Sequence, residues 1–198
     1  MLPVIVVLAL ALLLCAVSPA LAQTKLEDFE VGNYPLGGDF HLTNQHGGRT
    51  RLKDLQGKVV LMAFGYTHCP DVCPTTLALF KMVKQGLGPQ GQDLAAVFIS
   101  VDPKRDTPAL LKRYVGSFDP DFLGLTGNAQ QLAAVTDQYM AKFRIRETNT
   151  PGAYAVDHTT LIYLIDGQGK VRYLFTRDVS RDVIVAGCRK LLAARFST

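Results

Sequence analysis

The sequence predicts an α/β domain: a central mixed sheet flanked by helices, with a β-hairpin at its N-terminal end. Three observations carry this. Near-continuous apolar runs alternate with segments of helical spacing, which implies crossovers and a mostly parallel centre. Asp166-Gly167-Gln168-Gly169 joins two late apolar runs as a tight hairpin, so part of the sheet is antiparallel. An early glycine-rich stretch separates two short extended pieces, as a first hairpin requires.

Taken in order, Phe40-His41-Leu42-Thr43 and Thr50-Arg51-Leu52 flank Asn44 to Gly48 and form that first hairpin. Lys58 to Tyr66 is almost unbroken apolar sequence, the mark of a strand buried on both faces. Thr75 to Gln85 places Leu77, Phe80 and Val83 on one helical side. Ala95 to Val101 is a second buried strand ending at Asp102-Pro103. Thr107 then caps a helix whose first residue is Pro108. Phe122 to Gly127 is a short strand and turn. Asn128 caps a further helix with Leu132, Val135 and Tyr139 on its apolar face. Glu147 to Gly152 reads as an exposed loop. Thr159 to Ile165 and Lys170 to Phe175 are the last strands, and Arg181 to Ala194 the last helix.

The chain of 198 residues has room for one ordinary domain and a targeting segment, and at 48% hydrophobic it is not a disordered composition. Its net charge of +4 is modest, and no basic run interleaves with aromatics, which argues against nucleic acid as a partner. Leu2 to Ala22 carries no charged side chain, and Ala20-Leu21-Ala22 has the small-x-small pattern of an export cleavage site. Residues 1–22 are thus expected to be a signal peptide or an uncleaved membrane anchor, with residues 23–198 forming an exported domain. No basic residue opens the segment, since the first is Lys25. Cys15 follows bulky Leu13 and Leu14 rather than small residues, and is read as an apolar filler rather than a lipidation site.

The most specific segment is Gly65-Tyr66-Thr67-His68-Cys69-Pro70-Asp71-Val72-Cys73-Pro74. Two cysteines leave a buried strand and lead into a helix, the placement of a dithiol in a thioredoxin-like fold. Pro74 is expected at the first helical position with Cys73 near the cap, where free N–H groups and the helix dipole favour thiolates. Three residues separate the thiols, whereas thioredoxin-type oxidoreductases have two between them. A thiolate pair suits soft or borderline metals, and an added imidazole suits Cu(I), Cu(II) or Zn(II). A structural disulfide is the alternative that an oxidising compartment suggests.

The third-ligand candidates are His41, His46, His68 and His158. His41 and His46 lie around the first hairpin, as surface residues do. His68 and Cys69 should diverge if the strand continues through them. His158, in Tyr154-Ala155-Val156-Asp157-His158-Thr159-Thr160, enters a strand from a loop. Spacing alone does not choose among them.

Cys69-Pro70-Asp71-Val72-Cys73-Pro74, Val101-Asp102-Pro103-Lys104-Arg105-Asp106-Thr107-Pro108 and Asp157-His158-Thr159, in this order, resemble the Sco (SenC/PrrC) family over roughly residues 30 to 195. That resemblance implies a thioredoxin-like fold and copper bound by Cys69, Cys73 and His158. It also implies a role in maturing the copper site of cytochrome c oxidase. The partner would be the oxidase's copper-bearing subunit or another copper chaperone, met in the bacterial periplasm by a domain that is soluble or tethered to the inner membrane. The same dithiol also suits thiol–disulfide exchange that keeps oxidase or chaperone cysteines reduced. Asp157 is expected to orient or tune His158, as carboxylates behind metal-bound imidazoles do. Asp71 adds charge at the helix start, and Asp102 and Arg105 tie down their loop. Lys104, Arg105, Lys112 and Arg113 form a basic stretch that an acidic partner would meet, and Cys188 is a buried free thiol.

Overall fold

A computed structural model describes residues 24–149 and 153–194. The first hairpin is β1 (His41–Asn44) and β2 (Arg49–Arg51). It is followed by β3 (Val59–Gly65), α1 (Val72–Gly86), β4 (Leu94–Ser100), α2 (Pro108–Gly116), β5 (Leu123–Thr126) and α3 (Ala129–Gln138). Then come β6 (Phe143–Glu147), β7 (Tyr154–His158), β8 (Ile162–Ile165), β9 (Val171–Phe175) and α4 (Arg181–Ala194). Seven strands make one mixed sheet in the order β2-β1-β5-β4-β3-β8-β9, with β6 and β7 as a separate pair. The pairings β3–β4 and β4–β5 are parallel, and β3–β8 and β8–β9 antiparallel, as the crossovers and the Asp-Gly hairpin require. β3 is buried throughout its length, which is why it reads as a continuous apolar run.

The first hairpin is part of the main sheet, because β1 pairs antiparallel with β5. Gln45 cements the join: its amide donates to the Phe122 carbonyl at 2.9 Å and accepts from the Gly124 N–H at 2.9 Å. Both expected caps are present. Thr107 Oγ1 accepts from the Leu110 N–H at 3.3 Å, and Asn128 and Gln131 cap each other's backbone at 2.9 Å. Tyr139 packs edge-on against Phe64 and Tyr163, and the Tyr163 hydroxyl donates to its carbonyl at 2.9 Å. The end of α3 is thereby fixed over β3 just before the chain enters β6.

Two expectations are corrected. Helix α1 begins at Val72, so Cys73 and Pro74 are its second and third residues. The first-turn N–H groups have no intrahelical partner, so proline fits the third position as readily as the first. The second correction is the β6–β7 pair. Its register sets Phe143 opposite His158 and Glu147 opposite Tyr154, so His158 ends a strand, and residues 159–161 separate it from β8. β6 is exposed along its whole length and has no apolar run to betray it. Its signal was the alternation Phe143-Arg144-Ile145-Arg146. The loop expected at Glu147 to Gly152 shrinks accordingly, and residues 150–152 lie outside the described residues. So does the Leu2 to Ala22 segment with Cys15. No helix among the described residues is long and apolar enough to cross a membrane.

Candidate metal centre

β3 delivers the chain to the dithiol at Gly65, and the turn that follows is held from outside. The Cys69 N–H donates to the Tyr66 carbonyl at 3.2 Å. Asp106, wholly buried on the loop after β4, accepts from the Thr67 N–H at 2.9 Å, from Thr67 Oγ1 at 2.6 Å and from Ser100 Oγ at 2.6 Å. A buried carboxylate with three donors is a strong fixture. The cysteine turn is thus pinned to the adjacent parallel strand. Cys69 is half-buried and Cys73 buried, and both are free thiols. Room for the Cys73 sulfur comes from Gly65: a Cβ there would lie 2.5 Å from Cys73 Sγ and 2.6 Å from the Phe98 ring.

β7 delivers the third donor. His158 Nδ1 is 2.9 Å from the Thr159 carbonyl, an acceptor only, so the proton resides on Nδ1. Nε2 then presents its lone pair to Cys73 Sγ at 3.5 Å. The Tyr66 ring stands edge-on to the imidazole at 5.8 Å between centroids. The donor atoms of Cys69, Cys73 and His158 all lie within 4.8 Å of one another. Donors sharing one ion at ~2.0–2.3 Å lie roughly 3 to 4.6 Å apart, so the spacing suits a single metal ion. Two sulfurs and one imidazole favour copper or zinc over hard cations.

Burial decides the protonation of the inner thiol. It pushes Cys73 far above the ordinary thiol range, against a backbone hydrogen bond from Tyr66 that pulls it down, while neighbouring Cys69 raises it further. The thiolate expected from the helix start is therefore not favoured in the metal-free protein: desolvation outweighs the helix dipole. A bound cation reverses this balance, because a coordinating thiol is deprotonated.

The other candidates go elsewhere. His41 and His46 are exposed beside the first hairpin. His68 is also exposed, with Nδ1 at 3.0 Å from Thr67 Oγ1 and 3.7 Å from Asp106, diverging from the dithiol as expected. Asp157 points away from His158, for adjacent strand residues face opposite sides. Its carboxylate meets Arg144 at 3.4 Å and Arg146 at 3.3 Å, and these two guanidinium groups hold it below the usual carboxylate range. The orienting bond expected from Asp157 is supplied instead by the Thr159 carbonyl. Asp71 occupies the cap position of α1 with no side-chain capping bond. Cys188 is buried and free in α4, its thiol pushed up to about 12 by burial. Asp102 and Arg105 pair as expected. Gly65, Asp106 and Tyr66 lie within the quoted segments but were given no role by sequence reasoning, because none carries a signal of its own apart from neighbours in space.

The model of the SCO1/SenC family matches residues 30–193. The chain belongs to the SCO1/SenC family. It is 39% identical over 173 residues to a SCO2-like protein of Rickettsia felis, covering 87% of this chain and 84% of that one. Among solved structures, Bradyrhizobium japonicum ScoI with copper bound superposes with a TM-score of 0.73 at 42% identity, covering 79% of this chain and 99% of that one. BsSco, described as having a disulfide switch and as a member of the Sco family of cytochrome c oxidase assembly proteins, gives 0.60 at 25% identity, covering 83% and 94%. The thioredoxin-like fold expected from the sequence is that of these Sco structures.

Proposed function

We propose that this SCO1/SenC protein is a copper metallochaperone. It binds copper through Cys69, Cys73 and His158 and assists assembly of the copper centre of cytochrome c oxidase. The observation that carries this is the convergence of those three donor atoms at the end of the sheet. Copper-bound ScoI and the oxidase-assembly role attached to the Sco family support it. Copper in the site supplies a soft Lewis-acidic centre for exchange with an incoming ligand. The chain's own part is to give up the thiol protons on binding and, through the Nδ1–H bond to the Thr159 carbonyl, to orient the ring with Nε2 toward the sulfurs. Half-buried Cys69 leaves one sulfur within reach of a partner. The test is oxidase copper content in cells lacking this protein. Wild type should restore it and Cys69→Ser/Cys73→Ser should not; restoration by the double variant contradicts the proposal.

A second use of the same sulfurs is favoured by their asymmetry. Cys69 is half-buried and Cys73 buried, as an attacking and a resolving thiol would be. Cys69 thiolate would attack a partner disulfide, and Cys73 would then displace the partner sulfur. This leaves a Cys69–Cys73 disulfide and a reduced partner dithiol, with two electrons passed. His158→Ala separates the readings, since disulfide exchange should survive it and three-ligand copper binding should not.

Export also belongs to the proposal, supported by the charge-free run Leu2 to Ala22. Residues 1–22 would deliver or anchor the domain 23–198 in the periplasm, facing the oxidase's copper-bearing subunit or another copper chaperone. Exposed Lys104, Lys112 and Arg113 would face an acidic partner. Arg105 is turned inward to Asp102 and leaves that surface. Partner binding that ignores salt would count against electrostatic docking.

A further inference from the structure

Arg105 joins two segments that sequence places far apart. Its Nε donates to Asp102 Oδ2, its Nη1 donates to the Tyr154 carbonyl at 3.0 Å, and its guanidinium carbon lies 3.7 Å from the centroid of the Tyr154 ring. The Tyr154 hydroxyl closes the circuit by donating to Asp102 Oδ1 at 2.7 Å. Asp102 is buried, so this carboxylate depends on the two donors. Arg105 Nη2 is buried without a partner among the described residues. The side chain is therefore held by its ties to Asp102 and Tyr154, not by satisfaction of all its donors.

Tyr154 opens β7 and His158 closes it. The β6–β7 pair makes no ladder with the seven-stranded sheet, so backbone pairing to the main sheet does not fix its direction. Four residues of strand span about 13 Å, so a tilt of about 10° at Tyr154 would carry His158 roughly 2 Å. A metal ligand cannot tolerate that displacement.

We infer that Arg105 and Tyr154 are positioning residues for His158: their tie to Asp102 sets whether the imidazole stands over the dithiol, and so whether copper is held by three ligands or two. This rests on the copper reading above. With Asp106 gripping the cysteine turn and Asp102 and Arg105 gripping β7, the loop after β4 brackets both halves of the site.

The test is a double-mutant cycle on the reduced full-length protein, with Cu(I) affinity read by competition against bicinchoninate. Arg105→Lys and Tyr154→Phe are each made with His158 present and with His158→Ala. Tyr154→Phe keeps the ring and removes only the hydroxyl, and thermal unfolding monitors the fold. With His158 present, each substitution should weaken copper binding by about tenfold or more. In the His158→Ala background neither should change it further, because the residue they act through is gone. Nitrogen hyperfine splitting in the Cu(II) spectrum should fade in both single variants. Equal weakening in the two backgrounds, or wild-type affinity in both single variants, overturns the inference while leaving the ligand set intact. Wild-type affinity in His158→Ala alone overturns His158 as a ligand, and this inference with it.

Discussion

Gly65 and Cys73 occupy one space: the hydrogen of the glycine faces the sulfur, and a methyl group in its place would stand 2.5 Å from Sγ. Strand β3 can bury the inner ligand only because it ends in a residue without a side chain. Gly65→Ala should therefore displace Cys73 or the Phe98 ring. Overpacking of this kind costs about 1–3 kcal/mol. Denaturant unfolding should show that loss, and copper titration should show weaker binding than in wild type.

Asp106 grips the turn before the dithiol through Thr67 and Ser100. Asp106→Ala strands buried donors at about 1–3 kcal/mol each, so a loss of about 3 kcal/mol is expected in urea unfolding. Asp106→Asn keeps an acceptor and should lose less.

Asp157 adjoins the histidine in sequence but faces Arg144 and Arg146 in space. Asp157→Asn should leave copper affinity within about twofold of wild type, below the effect of removing a true outer partner of a ligand. A tenfold loss in a copper competition assay would restore the carboxylate to the site.

Sequence spacing made the dithiol, the buried strands and the caps at Thr107 and Asn128 legible, because each is a local pattern. The hairpin bearing His158 was not. Phe143 to Glu147 is exposed and lacks an apolar run, so the strand that sets the histidine's position stayed hidden. For the same reason Asp157 was credited with a contact that strand alternation forbids. Gly65 meets Cys73 and Phe98 only where α1 folds back over β3, and Asp106 meets Thr67 from another loop, so only the folded chain brings these together.

Thiol labelling followed by peptide mapping should report the burial order. Cys69 should react first and Cys73 more slowly, and Cys188 should react only when the protein unfolds.

Cys188 also gives the metal-free protein a pH signature. An unfolded thiol ionises near 9.0, whereas burial holds this one protonated up to about 12. Its contribution is complete below about pH 9. Between there and about pH 12 the unfolded chain sheds a proton that the native chain keeps, so stability falls as pH rises. The denaturant midpoint should drop between about pH 9 and about pH 10.5, and drop less in Cys188→Ala.

The central claim is that Cys69, Cys73 and His158 hold one copper ion together. X-ray absorption of the reduced, copper-loaded protein tests it most directly. The expected spectrum has two sulfur scatterers and one imidazole nitrogen per copper, with the nitrogen lost in His158→Ala. An all-sulfur or sulfur-free copper environment in the wild-type protein would contradict it.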